Sequence, residues 1–152
     1  MKYLLLDIDD TIAPLNYKSI DAVYVDCSEE GELGIPNYIA DWLKTAKEKE
    51  IKIIWCTSRR GPIQYLVETK LGFKSDGTLQ FFNQKSYHWN KLYSIIDFCN
   101  KHSEDIVILA DNDIKEGTRE VKNLPENLKL VWPSDTRRGC LSVEDLELID
   151  SF

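Results

Sequence analysis

Residues 4–12, LLLDIDDTI, carry an apolar run straight into three acids, Asp7, Asp9 and Asp10, with Thr11 behind them. Like charges crowded at the exit of a buried strand repel one another unless a cation sits among them. The pattern recurs. Residues 51–56 (IKIIWC) lead into Thr57, Ser58, Arg59, Arg60 and Gly61, and residues 105–110 (DIVILA) lead into Asp111, Asn112 and Asp113. Residues 127–132 (NLKLVW) are followed by Ser134, Asp135, Thr136, Arg137, Arg138 and Gly139. In open α/β sheets ligands bind beyond the carboxyl ends of the strands. Carboxylates from the first and the later strand would converge there, and hard oxygen donors without thiolate or imidazole suit Mg²⁺.

The elements that would position these groups alternate along the chain. Short apolar segments at 2–8, 51–56, 78–82, 105–110 and 127–132 predict about five parallel strands covered on both faces. Amphipathic stretches lie between them. Ile35, Ile39, Trp42, Leu43 and Ala46 form one stripe, with Pro36 suited to a first helical turn. Ile63, Leu66 and Val67 form a second, opened by Pro62 and stopped near Gly72; Leu92, Ile95, Ile96 and Cys99 form a third. A closing helix runs from Ser142, its cap, through Leu146 and Ile149. Such alternation predicts a doubly wound, Rossmann-like α/β sheet with helices on both faces. Residues 12–35 break the rhythm with a short alternating patch around Val23–Val25, and predict a small hairpin or flap beside the end of the first strand.

Composition bounds the rest. At 152 residues, 43% hydrophobic and 30% charged, residues 1–152 are most simply one soluble domain with a proper core. No apolar run approaches the roughly 20 residues that span a bilayer. Acids arriving at residue 7 come too early for a signal peptide, so the expectation is a cytoplasmic protein without membrane association. Cys27, Cys56, Cys99 and Cys140 are scattered without a C-x-x-C pair, and predict reduced packing thiols rather than zinc or a disulfide frame. His88 and His102 read as surface or helix-end residues. A net charge of −7 argues against general coating of nucleic acid, and leaves room for a local basic groove.

The order D-x-D-x-T after an apolar strand, Thr57 ending the next strand, a lysine, then an acid ending a later strand resembles the haloacid dehalogenase-like (HAD) phosphatase superfamily. The resemblance spans nearly the whole chain. Trp55-Cys56-Thr57 and Gly139-Cys140-Leu141-Ser142 are similar to the small capless HAD domains of "Swiss Army Knife" RNA-repair proteins. It implies Asp7 as nucleophile, giving an aspartyl-phosphate, and Asp9 as general acid and base. It implies Mg²⁺ held by Asp7, the Asp9 backbone carbonyl and Asp111. It also implies Thr57 on the phosphoryl oxygens and a lysine offsetting their charge. Lys91, at the head of a helix, is preferred for that lysine over Lys85. Asn112 stands where the family's second adjacent Asp would be, and Asp113 follows one residue late. Asp10 reads as a turn acid, and Cys56 as a packing thiol turned away from the site.

Arg59 and Arg60, with Arg137 and Arg138, read equally as a positive rim for further phosphate groups or as solvated loop charge; Ser58, Arg59 and Arg60 join Thr57 and Lys91 as the substrate-binding candidates. The gaps from Asp9 to Thr57 and from Thr57 to Lys91 leave no room for a sizeable cap domain. A capless member implies an open site for large substrates, and Tyr17 and Tyr24 on the flap are candidates to stack on a base. The leading expectation is a Mg²⁺-dependent phosphomonoesterase for nucleic-acid ends or nucleotides. The rivals are a small-metabolite phosphatase, a phosphotransferase, and a binding module that grips phosphate without turnover. Association with separate repair enzymes is allowed by the resemblance; oligomeric state is not legible.

Overall fold

The computed structural model describes residues 1–15, 17–82, 87–135 and 137–152. Lys85 and Thr136, named above, lie outside them. The elements in order are β1 (Lys2–Leu6), β2 (Ala22–Asp26), β3 (Glu32–Pro36), α1 (Asn37–Thr45), β4 (Ile51–Trp55) and α2 (Gly61–Leu71). There follow β5 (Gly77–Thr78), α3 (Leu92–Lys101), β6 (Ile106–Ala110), α4 (Ile114–Gly117), β7 (Leu128–Val131) and α5 (Val143–Ser151).

Five strands form one parallel sheet in the order β5-β4-β1-β6-β7, so the chain starts at the centre and winds outward in both directions. This is a Rossmann-like arrangement, and its topological switch point lies beside β1. Side-chain alternation explains why helices cover both faces. Leu4, Leu6, Ile53, Trp55, Ile108 and Ala110 point into one core with Ile39, Leu43, Ile63, Val67, Leu146 and Ile149 from α1, α2 and α5. Leu5, Val107 and Leu109 point into the other, with Ile95 and Cys99 of α3 and Ile114 of α4.

Local signals in the sequence place most helix ends. Pro62 lies in the first turn of α2, and Gly72 ends it in the left-handed conformation at φ 73°. Ser142 caps α5 reciprocally: its Oγ accepts from Asp145 N at 3.1 Å while Asp145 accepts from Ser142 N at 2.7 Å. The four cysteines are free and buried. Among the described residues no helix is long and apolar enough to cross a membrane.

Three expectations need correction. Leu66 of the second stripe is exposed, and α2 buries Ile63, Gln64, Val67 and Leu71 instead. Ile35 belongs to β3, not to the α1 stripe: it pairs with Val23 in an antiparallel ladder, and α1 begins only after Pro36. The 78–82 segment is a strand for only Gly77–Thr78, because it lies at the sheet edge and its remaining apolar residues, Leu79 and Phe81, turn into the second core instead. The interval 12–35 holds the antiparallel pair β2–β3, turned through Ser28–Glu30 and Gly31. Gly34 is required there: an added Cβ would lie 2.9 Å from Tyr17 O and 3.0 Å from the Tyr24 ring.

Candidate active site

The parallel register carries the site. Leu6 stands opposite Trp55 on one side and Ala110 on the other, so the three central strands end at one level. The residues that come next, Asp7, Cys56 and Asp111, are therefore neighbours. The ladder continues one step beyond the strands, with Asp7 N donating to Ala110 O at 3.1 Å and Cys56 N donating to Leu6 O at 2.8 Å.

Lys91, at the head of α3, reaches up into this group. Its Nζ donates to Asp111 Oδ2 at 2.7 Å and to Cys56 O at 2.9 Å, and lies 3.3 Å from Asp7 Oδ1. Lys91 and Asp7 are each 6% exposed and Asp111 is fully buried. Two carboxylates thus share one ammonium away from water. Burial pushes Asp7 up to about 6; Lys91 draws it back and Asp111 adds to the rise. Burial likewise raises Asp111 against the pull of Lys91. Burial works against the charged form of Lys91, but Asp7 and Asp111 outweigh it and its pKa rises. Cys56 Sγ turns into the second core and burial pushes its thiol up, as a packing thiol should behave.

The loop after β1 is wound tightly enough to fix the remaining groups. Ile12 N and Ala13 N both donate to Ile8 O at 3.0 Å, and Ile8 and Ile12 are fully buried anchors. Asp10 adopts φ 55° and its Oδ1 accepts from Leu15 N at 2.9 Å, which is the turn role expected of it. Thr11 Oγ1 accepts from Asn112 N at 3.1 Å and ties this loop to the end of β6. Asp9 projects from the loop and is gripped by Arg59: Nε to Oδ2 and Nη2 to Oδ1, both at 2.8 Å. Thr57 is buried and its Oγ1 accepts from Arg59 N at 3.1 Å. Arg60 pairs with Glu30 at the hairpin turn at 2.7 Å. Arg138 lies 3.6 Å from Asp135 and over the Tyr38 ring.

A cleft of about 460 Å³ gathers Asp7, Asp9, Ser58, Trp89, Lys91, Asn112 and Asp113 at this edge. A second hollow, about 360 Å³, lies on the other side of Asp9 and is lined by Tyr17, Tyr24 and Arg59. The Tyr24 hydroxyl is used internally, donating to Ser19 O at 2.8 Å and accepting from Ser19 N. Another hollow, about 620 Å³, is at the opposite ends of the strands among Lys2, Lys47, Lys49 and Lys52. Lys2 there donates to the backbone oxygens of Ile149 and Asp150, and Lys49 pairs with Asp150, so it offers no convergent chemistry.

Among the described residues no three His, Cys, Asp or Glu side chains form a metal-holding group. An amide and a backbone oxygen nevertheless make a donor set. One end of the Asn112 amide lies 3.2 Å from both Asp9 O and Asp7 Oδ2. With nitrogen there, it donates to both. With oxygen there, it would add a third hard oxygen beside Asp9 O and Asp7 Oδ2, a donor set that suits Mg²⁺. Asp111 Oδ1 accepts from Asp113 N at 2.8 Å and its Oδ2 from Lys91, and each oxygen keeps a further lone pair.

No family model, curated protein or solved structure matches the chain.

One positioning pair escaped the sequence. Gly117 ends α4 beneath Trp89, and a Cβ at Gly117 would lie 2.2 Å from the indole. The substitution Gly117→Ala must therefore displace Trp89, two residues from Lys91. Overpacking of this kind costs about 1–3 kcal/mol. The expected result is a lower urea midpoint together with altered fluorescence in the Trp89→Phe-sensitive part of the spectrum. Wild-type spectra and midpoint would exclude the contact.

Proposed function

We propose that this chain is a metal-dependent phosphomonoesterase acting through an aspartyl-phosphate at Asp7. The observation that carries the proposal is the buried Asp7–Lys91–Asp111 cluster at the switch point of the sheet, with Asp9 on the rim of the same cleft. A structural ion pair gains nothing from a second carboxylate crowded beside one ammonium. A phosphoryl group entering the cleft would find a nucleophile, a cation and a proton donor within one loop's reach.

In this reading Asp7 Oδ forms the bond to phosphorus while the bond from phosphorus to the leaving oxygen breaks and Asp9 supplies that oxygen's proton. Water then attacks phosphorus, Asp9 takes the water's proton, and the acyl phosphate bond to Asp7 breaks to release phosphate. Lys91 offsets the growing charge on the phosphoryl oxygens, and Thr57 is the hydroxyl assigned to them. Asp7, the Asp9 carbonyl and Asn112 would hold Mg²⁺, with Asp111 acting on Lys91. When bound, the ion would supply charge neutralisation between nucleophile and phosphoryl oxygens.

Nucleic-acid ends or nucleotides are the proposed substrates. Among the described residues only the β2–β3 hairpin, α1 and β4 lie between Asp9 and Thr57, so no inserted domain stands there. Trp89 lines the cleft, and Trp132, 45% exposed with Lys115 5.6 Å from its ring centroid, edges the hollow next to Asn112. Exposed aromatic faces stack on bases. A phosphate-binding module is the second reading, favoured by the engagement of Asp9 with Arg59 and of both Asp111 oxygens.

The test is phosphate release from p-nitrophenyl phosphate, mononucleotides, and 3′- and 5′-phosphorylated oligonucleotides, each with Mg²⁺ or EDTA. Metal-dependent release lost in Asp7→Asn is expected, strongest on a nucleotide or an oligonucleotide end. Absence of release from folded protein that still binds Mg²⁺ would favour the binding module.

A further inference from the structure

Arginines after a strand at an active edge are ordinarily read as phosphate ligands, but the geometry of Arg59 gives it other work. Both of its fork nitrogens lie 2.8 Å from the two oxygens of Asp9, in the bidentate arrangement that fixes a carboxylate in direction as well as place. Asp9 needs such a restraint. Its side chain is 45% exposed, on a loop rather than a strand, with a cleft on either side of it. The Arg59 main chain is itself pinned at both ends. Its N–H donates to Thr57 Oγ1, and its carbonyl accepts at 2.8 Å from Nε2 of Gln64, a buried side chain whose Oε1 is held by Thr78. Arg60 then ties the same loop to the hairpin through Glu30.

We propose that Arg59 is the positioning residue of Asp9, aiming its carboxyl group at the oxygen of the departing alcohol. The proposal rests on the phosphatase reading. The fork takes one lone pair on each Asp9 oxygen and leaves one more on each, and in the acid form one of these carries the proton that passes to the leaving oxygen. Proton transfer demands that the acid lie within hydrogen-bond reach of that oxygen, and a misplacement near 1 Å costs about 100-fold. A lysine would supply charge at this place without the planar fork.

The experiment compares kcat/KM for p-nitrophenyl phosphate with that for an alkyl ester, glycerol 2-phosphate, in wild type, Arg59→Gln, Arg59→Lys and Asp9→Asn. This parameter covers only the steps through departure of the alcohol, where a poor leaving group needs the proton and a good one does not. In Arg59→Gln the alkyl ester should lose about 30- to 100-fold and the aryl ester only about threefold. Arg59→Lys should recover part of the difference, and Arg59→Gln should add nothing in the Asp9→Asn background. Equal losses on both esters, carried in KM, would make Arg59 a phosphate ligand and overturn the proposal, as would no loss at all. Failure of the phosphatase reading looks different: the wild type releases no phosphate, or Asp7→Asn keeps its activity. A readout without turnover tests the grip itself. In protein labelled at Asp Cγ, the Asp9 carbon resonance should shift or broaden in Arg59→Gln, and an unmoved signal would overturn the positioning role.

Discussion

Asp7→Asn is expected to raise the melting temperature at pH 8 in EDTA and, on the proposed phosphatase reading, to abolish phosphate release. The two effects have one cause. In the wild type Asp7 and Asp111 share the single ammonium of Lys91 in a buried site, leaving one negative charge without a partner. Burial lifts Asp7 from its ordinary value of 3.8 to about 6, so the folded state holds that proton more tightly than the unfolded state does. Stability from this group is therefore fully present below about pH 4 and is lost as pH rises through about 6. An amide at position 7 removes the loss and leaves Lys91 and Asp111 as a neutral pair. The gain at pH 8 should be about 3 kcal/mol. It should shrink to nothing near pH 4, where wild-type Asp7 is already protonated. Differential scanning calorimetry at the two pH values measures it; an Asp7→Asn variant less stable than wild type at pH 8 would contradict this account. Mg²⁺ should raise the melting temperature of the wild type and leave the variant unmoved.

Lys91→Met produces the opposite change. The methionine fills similar volume, but Asp7 and Asp111 are then buried together with no cation, and the Cys56 carbonyl loses its donor. Removing one partner of a buried ion pair costs about 3–5 kcal/mol. Because the remaining carboxylates repel each other, the cost should fall as acid protonates one of them. Urea unfolding at pH 8 and pH 5 is the measurement, and a loss independent of pH would show that Lys91 acts only through packing. The double variant Lys91→Met/Asp111→Asn should recover much of the stability, since a single carboxylate then remains, while on the proposed reading it still releases no phosphate.

Both variants probe a cluster whose main parts were legible in the sequence. Asp7 and Asp111 could be paired without coordinates, because apolar runs of strand length fix where parallel strands end, and parallel strands end on one edge. Lys91 was legible through the helix it opens, since the amphipathic stripe from Leu92 to Cys99 tells where the head of α3 must lie. The caps were equally local: Ser142, Pro62 and Gly72 act through backbone groups within a few residues of themselves.

What tertiary structure decided was every feature that depends on side-chain direction from a loop, or on contact between residues distant in the chain. Ile35 fitted a helical stripe and became a strand because β2 offered it a ladder partner. Residues 79–82 had strand composition and left the sheet because an edge strand has only one neighbour to hold it. The grip of Arg59 on Asp9 spans 50 positions, and that of Trp89 on Gly117 depends on two elements meeting. The Asn112 amide lies against Asp9 O and Asp7 Oδ2, more than a hundred positions away in the chain. Periodicity and capping act between near neighbours and are written into composition and spacing. The aim of a loop side chain is set by packing, so the sequence determined which residues reach the edge of the sheet, and the fold determined which of them face one another.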